Sequence, residues 1–80
     1  MPTVFRHDGF RFFFYSNEGD PREPMHIHAM GDGGEAKFWL SPGVALADST
    51  GLDARTLRRL TQMVEDRPGE IERAWHDYFA

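Results

Sequence analysis

Apolar and polar residues alternate through the first half of the chain and recur at three- and four-residue intervals in the second. That change of period predicts strands first and helices after them. Thr3-Val4-Phe5-Arg6 is β-prone, Asp8-Gly9 is a strong two-residue turn signal, and Phe10 to Ser16 is rich in aromatic residues. A turn centred on Asp8-Gly9 sets His7 opposite Phe10, Phe5 opposite Phe12 and Thr3 opposite Phe14. Phe10, Phe12 and Phe14 then line one face, and Phe13 and Tyr15 the other. A strand with Phe on both faces is expected to be covered on both sides or to lie at a subunit contact. Asn17 to Pro24 is polar, with Pro and Gly, and reads as a loop.

A second hairpin follows. Met25 to Met30 alternates, Glu35 to Leu40 alternates, and Gly31-Asp32-Gly33-Gly34 joins them. Centring the turn on Asp32-Gly33 sets Met30 opposite Glu35, His28 opposite Lys37 and His26 opposite Trp39. The other face then holds Met25, Ile27, Ala29, Ala36, Phe38 and Leu40. It is wholly apolar and is expected to face the core. Val44 to Ala47, after the Ser41-Pro42-Gly43 turn, reads as a last strand.

Two helices close the chain. Asp53 is placed to cap the first, with Leu52 stapling onto Leu57, and Leu57, Leu60 and Val64 recur at helical spacing. Asp66-Arg67-Pro68 ends that helix and opens the next, in which Ile71, Ala74, Trp75, Tyr78 and Phe79 form an apolar stripe. Strands followed by helices predict an α+β fold, with an antiparallel meander of four to five strands and two C-terminal helices packed on one face. The sheet is expected over residues 1–49 and the helical pair over residues 50–80.

Composition narrows the class. Eighty residues make a single domain, and the lack of Cys excludes a disulfide scaffold, a Cys-type zinc finger and a thiol enzyme. No apolar run approaches the roughly 20 residues that cross a bilayer, and the N-terminus lacks a signal-peptide pattern, so a cytoplasmic protein without membrane contact is expected. A net charge of −4 argues against a general nucleic-acid coat protein.

MPTV at the start, RFFFYSNE, the Pro-Met-His-x-His strand, GGEAKFWL and the closing AWHDYF run in the order found in a small bacterial family, domain of unknown function 4160. The chain resembles that family over nearly its whole length. It departs from the family's Pro-Pro-His-x-His pattern where Met25 separates Pro24 from His26. The resemblance implies a two-gene arrangement. By that resemblance the adjacent gene would encode a small protein of another family, domain of unknown function 2442, and the pair would form a toxin–antitoxin-type module.

His26 and His28, two apart on one strand, share a face on the side away from the core. Three readings stand side by side. The face is simply solvated. Or one imidazole takes a proton while the other gives one, with Lys37 stabilising developing charge, as in a small metal-free ribonuclease. Or the pair binds metal, with Glu35 as the best-placed third ligand and Glu18, His7 and His76 as further donors. Two imidazoles on one strand fall short of a full ligand set, so no metal or other cofactor is expected. Trp39 shares the His26 face and is a candidate for stacking or a partner contact. Arg55, Arg58 and Arg59 fall on the outer face of the first helix, where they are candidates to meet phosphates or an acidic partner. His76 is expected at the edge of the apolar stripe, bonded to a backbone carbonyl, and His7 at an exposed turn. The expected function is protein–protein interaction within the two-gene module. RNA cleavage through His26, His28 and Lys37 is the alternative, and RNA or a second copy of the chain are possible partners.

Overall fold

The computed structural model describes residues 3–16 and 23–79. Strands β1 (Thr3–His7), β2 (Phe10–Phe13), β3 (His26–Gly31), β4 (Gly34–Trp39) and β5 (Ala45–Thr50) precede helices α1 (Ala54–Glu65) and α2 (Pro68–Phe79). The sheet is antiparallel, in the order β1-β2-β3-β4-β5. It is the α+β meander with two trailing helices that the change of period predicts.

Both hairpins turn on Asp-Gly. Asp8 and Gly9 have φ of 50° and 81°, and Asp32 and Gly33 have φ of 53° and 81°. Two successive positive φ values match the twist of the flanking strands, and Asp and Gly adopt them at little cost. The two turns also touch. A Cβ on Gly31 would lie 2.6 Å from the carbonyl oxygen of Gly9, so only glycine permits the approach.

The pairing of β3 with β4 is the expected one, with Met30, His28 and His26 facing Glu35, Lys37 and Trp39. The Leu40 N–H donates to the Met25 carbonyl at 3.1 Å, extending the ladder by one pair. In the first hairpin, His7 faces Phe10 and Phe5 faces Phe12, but Thr3 meets Phe13, not Phe14, because a bulge at Val4 shifts the register. The second strand stops at Phe13, short of Ser16. Of the loop expected over Asn17 to Pro24, residues 17–22 lie outside the described residues.

The last strand begins and ends later than Val44 to Ala47 and takes in the polar run Asp48-Ser49-Thr50. It is a sheet edge and largely exposed, so an apolar alternation is not required of it. A bulge sorts its side chains. Asp48 pairs with Lys37 while Leu46 pairs with Phe38, leaving Ala47 as the extra residue. Asp48 therefore shares the face of Lys37, and Leu46 shares the face of Phe38.

One face of the sheet and the two helices enclose the core. Phe10, Phe12, Phe14, Ile27, Ala29, Ala36 and Phe38 meet Leu60, Val64, Ile71 and Trp75, with Leu40, Leu57 and Phe79 packed against them. Asp53 caps α1 through the Thr56 N–H at 2.8 Å, and those bonds from Thr56 hold its carboxyl below the usual carboxylate range. Leu52 and Leu57 both pack on the core, as a staple requires. Pro68 opens α2, where a missing N–H costs nothing. Tyr78 departs from the expected stripe and stands 43% exposed, on the outer side of Phe79. The Arg67 guanidinium lies 4.4 Å from the centre of the Phe5 ring, tying the interhelix turn to β1. Among the described residues no helix is long and apolar enough to cross a membrane.

Candidate functional site

The helices cover one face of the sheet. Alternation along the strands gives the other face Arg11 and Phe13 from β2, His26, His28 and Met30 from β3, and Glu35, Lys37 and Trp39 from β4. The edge strand adds Asp48 and Thr50. The residues expected to share a face, His26, His28 and Trp39, do share it.

Of the three readings set out for this face, the simply solvated one does not hold at the two imidazoles. His26 is 0% exposed and His28 6%. The cover comes from strand β2 and from helix α2. Phe13, directly opposite His28, stacks on it with ring centres 5.6 Å apart, and the Tyr15 ring meets it edge-on at 4.6 Å. His26 has Trp39 at 5.5 Å and His28 at 5.2 Å. On its remaining side the paired segment of β2 has ended, and Trp75 of α2 packs against both Phe14 and His26, each at 5.2 Å. The imidazoles thus belong to a continuous bed of six-membered and five-membered rings.

Polar contacts fix the bed. His26 Nδ1 lies 2.8 Å from the Pro24 carbonyl oxygen. A carbonyl only accepts, so Nδ1 is the nitrogen that donates. The Tyr15 hydroxyl lies 3.1 Å from each oxygen of Glu35, and Glu35 Oε2 lies 3.5 Å from His28 Nδ1. Tyr15, Glu35 and His28 therefore form a connected group on three neighbouring stretches of chain. Such a group can orient an imidazole and balance its charge on protonation.

Lys37 stands opposite His28 in register, but its charge goes elsewhere. The ammonium lies 4.3 Å from the centre of the Trp39 ring and 3.5 Å from Glu23 Oε1. Arg11 likewise lies over Phe13, 4.4 Å from its ring centre. Each cation covers an aromatic ring and keeps its head at the surface. Beside them runs an open groove of about 600 Å³, lined by His28, Met30, Glu35, Lys37, Asp48 and Thr50 among others.

Of the donors considered for a metal, His28 and Glu35 adjoin, while the Nδ1 of His26 is engaged by Pro24. Among the described residues no three His, Asp or Glu side chains converge as a ligand set. Glu18 lies outside the described residues. His7 is exposed beside Asp8 as expected. His76 is exposed as well, 3.8 Å from Glu72 one helical turn back, and does not occupy the expected boundary position. Arg55, Arg58 and Arg59 are exposed on α1, but Arg59 reaches across to Asp8 at 3.0 Å, so the three do not form one free ridge.

Sequence reasoning missed Tyr15, Phe13 and Trp75 as parts of the bed, and Asp48 as part of the groove. The two-sided aromatic pattern of Phe12 to Tyr15 was the available signal for the first two. For Trp75 and Asp48 no local signal existed, since both arrive through tertiary packing or through a bulge.

No curated protein and no solved structure matches the chain. A family model does match, over residues 9–76, and it covers strands β2 to β5, the groove, all of α1 and most of α2. The chain belongs to the family described as Domain of unknown function (DUF4160).

Proposed function

We propose that this chain is a binding subunit of a toxin–antitoxin-like two-gene module. Its helix-free sheet face receives the small partner protein encoded by the adjacent gene, of the domain of unknown function 2442 type. The observation that carries this reading is the burial of both imidazoles in an aromatic bed, with Arg11 and Lys37 laid over Phe13 and Trp39. A pre-packed face with half-buried Trp39 and a groove beside it offers a partner fixed contacts at low ordering cost. A general acid–base pair needs both imidazoles within reach of a substrate, and His26 is closed off. Co-expression with the adjacent gene, followed by purification and a growth assay, tests the reading. A stable complex and a growth phenotype for one gene without the other are expected. Separate elution of the two proteins overturns it.

A second reading, phosphodiester cleavage, draws on the Tyr15–Glu35–His28 group at the rim of the groove. Here His28 alone would be the working imidazole. RNA cleavage by the purified chain that is lost in His28→Gln favours it over the binding reading.

A further inference from the structure

Resting on that reading, we infer that the partner presents an extended basic segment that adds to the sheet along β5. Its Lys or Arg side chains would enter the groove at Asp48 and Glu35, and its alternate apolar side chains would lie on Leu46. Among the described residues the fifth strand is the edge of the sheet and pairs with β4 alone. Its outer row of N–H and C=O groups is a template for one more strand. An added strand sends successive side chains to opposite faces. The bulge in β5 has already sorted what each face offers: Asp48 on the groove side, and Leu46, 44% exposed, on the other.

Charge selects the chemistry of that strand. Lys37 sits directly across from Asp48, yet gives its ammonium to Trp39 and Glu23. Asp48 accepts a bond from the Ser49 N–H at 2.9 Å, and Glu35 from the Tyr15 hydroxyl. Among the described residues no Lys or Arg meets either carboxylate at ion-pair distance. Among the described residues the groove thus holds Asp48 without a cationic partner and Glu35 with His28 alone of the basic side chains beside it, in a chain of net charge −4. A basic segment supplies the cation. A second copy of this chain does not. Its own β5, Ala-Leu-Ala-Asp-Ser-Thr, carries an acid and no Lys or Arg, so pairing two copies along this edge adds like charge and no cation.

The test is hydrogen exchange on the chain alone and in complex with the adjacent-gene protein, with affinities at low and high salt. Slowed exchange over residues 45–50 on complex formation is expected. Asp48→Lys and Leu46→Asp should each weaken binding at least about tenfold. Asp77→Lys, on exposed α2, should leave it unchanged. Both variants change exposed residues of the edge strand, and a melting temperature near that of the parent chain confirms that they fold. A complex whose protection falls elsewhere, indifferent to Asp48→Lys, overturns this inference and leaves the binding reading standing. Protection of β5 by self-association without the partner also overturns it. Absence of any complex overturns both.

Discussion

The imidazole of His26 and the indole of Trp75 lie 5.2 Å apart, ring centre to ring centre, and join the sheet face that lacks helices to one of the helices. Trp75 belongs to the core on the other side, where it meets Phe14 at 5.2 Å and Phe79 at 4.3 Å. One side chain therefore couples the packing of the two faces where β2 has left the sheet. Replacing Trp75 by Ala is expected to cost about 3–5 kcal/mol, a large share of what a domain this size has. Denaturant unfolding measures it. The His26 ring resonances should shift in the folded fraction, and an unchanged His26 environment would show the two faces to be independent.

His26 and His28 differ in what surrounds them, so their replacement should differ in kind. His26→Ala empties a site that is 0% exposed and is expected to cost about 2 kcal/mol or more. His28→Gln keeps most of the volume beside Glu35 and should lose less. Thermal melts of both variants, read beside partner binding, separate a packing role from a recognition role. Equal, negligible losses would mean that the face is more open than its ring contacts imply.

Asp53 gives a pH-dependent expectation. Bonds from Thr56 lower its folded pKa relative to the unfolded chain, so its cap contributes stability above the ordinary carboxylate range. That contribution is lost as pH falls through the folded value. Asp53→Ala should lower the melting temperature at pH 7, and the gap from the parent chain should close as pH drops below about 4. Asp53→Asn should retain a cap and show no such pH dependence. A gap that persists undiminished in acid would show that the carboxylate charge is immaterial.

Added zinc, and separately a chelator, are expected to shift the melting temperature little. His28 and Glu35 supply two donors, and His26 Nδ1 is engaged by the Pro24 carbonyl. A true site would raise stability by about 2.7 kcal/mol at 100 times its dissociation constant. A zinc-dependent rise lost in both His26→Ala and Glu35→Ala would establish a metalloprotein.

What was legible in the sequence was local. Asp8-Gly9 and Asp32-Gly33 announce both turns, and the register of β3 on β4 follows from the second of them. The core stripe of Ile27, Ala29, Ala36 and Phe38 reads directly from alternation. Illegible were the contacts that cross the loop between β2 and β3. Tyr15 meets Glu35 across twenty residues, and nothing near either residue encodes that meeting. The burial of the imidazoles follows from the same non-local pairing, because Phe13 is the neighbour that covers His28. Strand β5 was underestimated because an exposed edge carries polar residues that alternation cannot flag.

Every strand of this sheet pairs with its neighbour in the chain, and the helices come after all five. Low contact order of this kind favours rapid assembly of the sheet, one hairpin upon the last. On the ribosome, however, the faces mature at different times. Phe13, His28 and Tyr15 can come together once β3 has emerged. Phe12, Ile27 and Phe38 remain uncovered until Leu60 and Ile71 have followed. During that interval the nascent sheet exposes its stickiest surface, and its vulnerability to aggregation is set by how quickly the last two elements are translated.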